Sequence, residues 1–172
     1  MLGVTRRNAY RYAGVVEAAF LIEGMDVEII ADGIHLPPPL LKLVYKIKGA
    51  QRTALITDAV RAAGMPPGDS VLGGLKNGLK VIVEDGVAKL PDRSAFAGSV
   101  ATFDLLVRNM VKLAGVPMIE AIEMAALTPA RIMNIADKKG SIEVGKDADI
   151  VIFDEDINIY KTIVNGNVVY EK

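Results

Sequence analysis

Two short apolar runs, each ending on ionisable side chains, constrain the fold most. Val27-Glu28-Ile29-Ile30-Ala31 leads into Asp32-Gly33-Ile34-His35, and Thr53-Ala54-Leu55-Ile56-Thr57 ends on Asp58. Between them lies a helix-length segment opened by Pro37-Pro38-Pro39 and stopped by Gly49. Proline suits the first turn of a helix and glycine the position just past the last. Strand, helix and strand within about 30 residues make a parallel crossover unit. Proteins built from such units collect their functional groups at the C-terminal ends of the strands. His35, the only histidine in 172 residues, and Asp58 stand at two such ends.

The remainder divides by its punctuation. Met1 to Tyr12 carries Arg6, Arg7 and Arg11 without periodicity, which predicts a loop. Gly14 to Ile22 predicts a short helix with Val15, Ala18, Ala19 and Ile22 on one face. Between Ala59 and Pro91, glycines at 64, 68, 73, 74, 78 and 86 break the chain into short pieces. Leu79 to Glu84 and Val87 to Leu90, joined by Asp85-Gly86, predict a hairpin, because Asp-Gly tolerates the positive φ angles of a tight turn. This makes residues 68–90 an excursion from the strand–helix pattern. Ala97-Gly98-Ser99 reads as a turn entering a helix from Ser99 to Ala114, whose apolar face carries Leu105, Leu106, Val107, Met110, Val111 and Leu113. A second helix opens at Pro117 and ends near Leu127, and Thr128-Pro129 predicts an N-cap and first-turn proline for a third. Met110, Met118, Met124 and Met133 are expected in the core, and Asp104 and Glu120 on helix surfaces. From Gly140 onward the chain reads as strands: Ala148 to Phe153, Ile157 to Val164 and Asn167 to Tyr170, the last two joined by Asn165-Gly166.

Composition excludes several functions. Twenty basic against 21 acidic residues leave a net charge of −1, no footprint for nucleic acid. A hydrophobic content of 51% with 5% aromatics calls for aliphatic packing, as buried parallel strands use. Without cysteine there are no disulfides and no thiolate metal ligands. One histidine and no cysteine cannot make a metal site with several nitrogen ligands, and nothing shows paired acids at ligand spacing, so no metal ligand is expected in this chain. There is neither an apolar run of about 18 residues nor a signal-peptide pattern, so the expectation is a cytoplasmic protein with no membrane partner.

Several segments in order carry a resemblance. Ile30-Ala-Asp-Gly-Ile-His35, Leu55-Ile-Thr-Asp-Ala59, Ala97-Gly-Ser99, Leu127-Thr-Pro-Ala130, the stretch from Lys139 to Phe153 and Lys161-Thr-Ile-Val-Asn-Gly166 together resemble the C-terminal part of the N-acetylglucosamine-6-phosphate deacetylase family of amidohydrolases. The resemblance runs from about Arg11 to the C-terminus. It implies an α/β fold in which residues 1–136 are the C-terminal portion of a (β/α)8 barrel and residues 137–172 are strands of a small β-sandwich. It implies metal-dependent hydrolysis of N-acetylglucosamine 6-phosphate to glucosamine 6-phosphate and acetate, in amino sugar catabolism. Asp58 takes the place of the catalytic acid/base. His35 and Arg11 take the places of substrate contacts, the arginine reaching the phosphate. Phe96, Ala97 and Gly98 border the sugar pocket, with Asp32, Gly33 and Ile34 beside it. The family's divalent metal, zinc or iron, sits on a glutamate and two histidines of the earlier half of the barrel, which this chain lacks. Family dimers share their phosphate contacts, so a homodimer or higher self-association is expected. The opening Met1-Leu-Gly-Val-Thr5 departs from the family, which usually carries an Asn-Ala-Met segment before the arginine.

Amide hydrolysis needs an activated water, a stabiliser of the developing oxyanion and a proton donor for the leaving amine. A metal supplies the first two, and a carboxylate such as Asp58 can carry the proton. The same residues have structural readings: Asp58 capping loop amides, His35 packed beneath the prolines, Arg11 solvated. About three strand–helix units fall short of a barrel of roughly 250 residues. The chain alone is therefore expected to be an inactive fragment whose uncovered strand edges associate. Two alternatives stay open: another amidohydrolase, dihydroorotase-like or deaminase-like, and a non-catalytic phosphosugar-binding module.

Overall fold

The structure, a computed structural model, describes residues 5–7 and 10–172, with side chains from Ala13 onward. Two three-residue strands, β1 (Thr5–Arg7) and β2 (Tyr10–Tyr12), pair antiparallel with Arg6 opposite Arg11. This corrects the expected loop. A strand ladder needs only backbone groups, so the missing side-chain periodicity was no bar to it.

Helix α1 (Val15–Leu21) follows, with no buried residue. Its C-terminal carbonyls are held from below, where the buried Lys48 ammonium donates to the carbonyls of Ala19 and Ile22, both at 2.9 Å. The crossover unit forms as its punctuation predicts. Strand β3 (Val27–Ile29) leads to α2 (Pro38–Lys48), which has prolines in its first turn and ends at Gly49 with φ +67°. A 3-10 turn then enters β4 (Thr53–Leu55), all three residues of which are buried. The two strands are parallel, with Val27 beside Thr53 and Ile29 beside Leu55.

The middle of the chain is an antiparallel sheet of four strands in sequential order. These are β5 (Gly68–Leu72), β6 (Leu79–Glu84), β7 (Val87–Lys89) and β8 (Phe96–Ser99). The predicted hairpin is β6–β7, turning through Asp85 at φ +52° and Gly86 at φ +77°. Its flanking strands were not anticipated, and residues 97–99, expected as a turn, belong to β8. Helix α3 (Phe103–Lys112) accordingly starts four residues later than predicted.

Helices α4 (Met118–Ala125) and α5 (Leu127–Ile132) come next. Thr128 lies inside α5 rather than capping it, and its buried hydroxyl donates to the Ala50 carbonyl at 2.9 Å. That bond ties α5 to the entrance of β4. The chain closes with β9 (Ile150–Phe153), β10 (Ile159–Val164) and β11 (Asn167–Glu171), an antiparallel sheet ordered β11-β10-β9. The Asn165-Gly166 hairpin turn forms as read, both residues at positive φ.

The main core joins the crossover unit to the helices, with Ile29, Leu41, Leu55, Leu106, Met110 and Met124 packed together. A smaller one underlies the four-stranded sheet around Val81, Val83 and Ala88. Met110 and Met124 are fully buried as expected, whereas Met133 is 68% exposed. Glu120, expected on a free surface, accepts a 2.8 Å hydrogen bond from the Tyr45 hydroxyl. That bond, with the Glu120 charge behind it, raises the Tyr45 pKa. No described helix is long and apolar enough to cross a membrane.

Candidate active site at the strand ends

The parallel register fixes which side chains share an edge. Beyond the Ile29–Leu55 pair each strand continues three residues to an aspartate, Asp32 on one and Asp58 on the other. Past β4 the chain is carried against β8, where Ala59 forms a parallel bridge with Ser99. The Ser99 amide donates to the Asp58 carbonyl at 3.3 Å, and the Val60 amide to the Ser99 carbonyl at 2.9 Å. The ends of β3, β4 and β8 thus lie side by side, leading into Asp32 to His35 on one side and Asp58 on the other, with Ala97 and Gly98 on β8.

Asp32 is the organising group. Its side chain is 1% exposed, and one oxygen accepts the backbone amides of Ile34 at 2.9 Å and His35 at 2.8 Å. The other lies 2.6 Å from His35 Nδ1. A carboxylate only accepts, so the proton of this bond sits on Nδ1 and leaves Nε2 able to accept from a ligand. Asp32, read from sequence as merely beside the pocket, is what orients the imidazole. Gly33, at φ +80°, makes the tight turn that folds the loop back on this carboxylate.

Phe96 extends from β8 toward the histidine, with ring centroids 5.1 Å apart and a tilt of 53°. It is half exposed, an apolar wall beside a polar group. Ala97 is buried, and Gly98 stands at φ +105° with its α-carbon face filled by Val60. Asp58 itself has φ +46°, is exposed, and makes no side-chain hydrogen bond among the described residues. An aspartate held in the left-handed region with a free carboxylate is available for proton transfer. Arg11 falls outside the residues whose side chains are described, so only its backbone position in β2 is on view.

The β6–β7 turn abuts this region, a contact that the sequence reading did not foresee. A β-carbon on Gly86 would stand 3.3 Å from Ile34 Cδ1. Behind the turn, Lys89, which pairs in register with Phe96, is bound to Asp85 at 2.7 Å and Glu84 at 3.3 Å. Its bond to Asp85 raises the Lys89 pKa, while Arg93, bonded to both Glu84 oxygens, lowers that carboxyl.

Among the described residues no group of three or more histidines, cysteines or acids could hold a metal. One histidine and no cysteine give this chain no nitrogen- or sulfur-rich donor set for the divalent ion that the resemblance implies. A cavity of about 820 Å³ lies elsewhere, between the helices and the C-terminal sheet, and is walled by Val107, Ile122, Met133, Ile142, Ile150 and Phe153.

An N-acetylglucosamine-6-phosphate deacetylase of Lysinibacillus sphaericus is 37% identical over 92% of this chain and 40% of its own length. A putative N-acetylgalactosamine-6-phosphate deacetylase of Escherichia coli is also 37% identical, over 91% of this chain and 90% of its own. Among solved structures, a variant N-acetyl-D-glucosamine-6-phosphate deacetylase of Mycobacterium smegmatis in complex with N-acetyl-D-glucosamine-6-phosphate superposes with a TM-score of 0.82. It shares 30% identity over 91% of this chain and 41% of its own. The chain thus spans about two fifths of the length of most of the relatives it matches. The amidohydrolase family model matches residues 8–169, nearly the whole chain. The chain belongs to the amidohydrolase family.

Proposed function

We propose that this chain carries the sugar-binding and proton-transfer groups of an N-acetylglucosamine-6-phosphate deacetylase. The observation that carries the reading is an imidazole, oriented by a buried carboxylate and walled by an aromatic ring, at the same strand ends as a free carboxylate. Residues 1–136 would be the C-terminal portion of a (β/α)8 barrel, with the β5–β8 sheet as its excursion, and residues 137–172 strands of a small sandwich. The parallel β3–α2–β4 crossover and its bridge to β8 support that assignment.

In the reaction, a water oxygen bonds to the acetyl carbon, the carbon–nitrogen bond breaks, and acetate and the free amine separate. Asp58 takes the proton from the water and delivers it to the departing nitrogen. His35, through Nε2, accepts from a sugar hydroxyl. Arg11 meets the phosphate with its fork of donors, a geometry suited to two oxygens at once. Phe96 covers the apolar face of the sugar, with Ala97 and Gly98 bordering the pocket behind it.

Isothermal titration of the 172-residue chain with N-acetylglucosamine 6-phosphate tests this reading. Binding is expected, and Arg11→Ala should weaken it about 10- to 100-fold, as losing a charge-assisted bond of about 1.5–3 kcal/mol requires. His35→Ala should weaken it less. Binding indifferent to both substitutions would remove the site. The galactosamine epimer, inverted only at the 4-hydroxyl, belongs in the same titration because one relative is named for it. No turnover is expected from the chain alone, even with zinc or iron added, because the described residues offer no ligand set. Acetate release under those conditions would refute this.

A self-associated state is part of the same reading. The accessible surface is 10969 Å² for 18.4 kDa, against roughly 8200 Å² for a compact monomer of that mass. Among the described residues Ile142, Val144 and Ile119 are largely exposed, and β11, the outer strand of its sheet, has no buried residue. Light scattering at micromolar concentration should therefore give a mass of a dimer or more. A monodisperse monomer would contradict the expectation.

A further inference from the structure

Helix α3 contains a buried amide that the chemistry above leaves unused. Asn109 is 9% exposed, flanked by the buried Leu106, Val107 and Met110 on an otherwise apolar face. An amide in such a place must be bonded, or its desolvation goes uncompensated. Its Nδ2 donates to the Ala31 carbonyl at 2.9 Å, across 78 positions of sequence.

That carbonyl sits immediately before Asp32 and beyond the strand ladder, whose last step here is the Ile56 amide on the Ile29 carbonyl at 3.0 Å. On the other side of Asp32, a β-carbon at Gly33 would lie 3.6 Å from the same Nδ2 and 3.4 Å from Leu113 Cδ1. One side chain therefore meets the backbone on both flanks of the aspartate. The aspartate in turn holds His35 by its amide and by Nδ1.

We propose that Asn109 is a positioning residue for the site: by anchoring Ala31 and backing Gly33 it fixes the Asp32 carboxylate, and through it the Nδ1–H tautomer of His35. The value of that control for catalysis rests on the deacetylase reading, in which Nε2 accepts from the sugar; the control itself does not. It places a determinant of the site on a helix that contributes no side chain to the substrate.

The single histidine makes the test direct, because the whole chain gives one imidazole signal. Ring-nitrogen chemical shifts of His35, measured by NMR with the imidazole neutral, should show the Nδ1–H tautomer alone in the wild type. Asn109→Ala, and Asn109→Asp, which keeps the shape but not the donor, should both lose that single-tautomer signature and give the mixture of a solvated imidazole. Thr128→Val removes the same kind of buried bond, from side chain to the Ala50 carbonyl, and should leave His35 unchanged. If the Asn109 variants fold and keep the wild-type tautomer, the residue is only a packing element and the proposal fails. Should neither variant fold, hydrogen exchange of the Asn109 side-chain amide in the wild type decides: protection comparable to the core supports the anchor, and exchange at the rate of a free amide overturns it. No substrate is involved, so a tautomer shift without sugar binding would sink the deacetylase reading alone, whereas sugar binding without the shift would sink this proposal alone.

Discussion

Asp32→Ala is expected to destabilise the chain by about 3 kcal/mol or more, since it strips the acceptor from three donors at about 1–3 kcal/mol each, and to release the turn that carries His35. The effect is large because one carboxylate answers three donors: the amides of Ile34 and His35 and the imidazole Nδ1. With the side chain 1% exposed, water cannot reach in to replace it without opening the loop. Asp32→Asn separates the two roles. Its amide oxygen can still accept the backbone bonds, but its NH2 group faces Nδ1 as a donor, so the imidazole must turn or change tautomer. Denaturant unfolding should therefore show a smaller loss for asparagine than for alanine, while sugar binding falls comparably in both. Equal stability of the alanine variant and the wild type would show that the carboxylate does not organise the loop.

Gly98→Ala should cost about 2–6 kcal/mol, from two sources that each amount to about 1–3 kcal/mol. The first is conformational, since φ +105° is a region that L side chains rarely adopt. The second is steric, because the added methyl would stand 2.3 Å from Val60 Cγ1. The resemblance put Gly98 at the border of the sugar pocket; the space beside its α-carbon is taken by the Val60 side chain. A double-mutant cycle divides the cost. Val60→Ala should restore the steric part in the Gly98→Ala background and leave the backbone part, so the two changes should be strongly non-additive. Strict additivity in urea unfolding would mean that the clash relaxes elsewhere. The expected local consequence is a displaced Phe96, two residues upstream on β8, and with it a weaker sugar site.

Local chemistry carried the elements that punctuation defines. Pro37-Pro38-Pro39 and Gly49 bound α2 because proline fixes φ and glycine tolerates its positive value, and neither effect needs a partner. Asp85-Gly86 and Asn165-Gly166 became hairpin turns for the same reason. Where the outcome depended on a distant partner, the local pattern misled. Thr128-Pro129 has the composition of a cap, yet the threonine hydroxyl is spent on Ala50. Ala97-Gly98-Ser99 has the composition of a turn, yet it pairs with β7 on one side and bridges to Ala59 on the other. Met133 fits a helical spacing, but it stands just past the end of α5 and is 68% exposed.

The candidate site divides the same way. The order of residues alone placed Asp58 and His35 at the ends of two strands, because a parallel crossover requires consecutive strands to point the same way and so brings their C-terminal ends to one edge. It could not say that Asp32 would be the buried orienting group, that Phe96 would close on the imidazole, or that Asn109 would reach across 78 positions to the carbonyl before Asp32. Those depend on side chains from separate segments being brought within hydrogen-bonding distance, which local propensity does not encode. Only packing of α3 and β8 against the β3–β4 pair decides it.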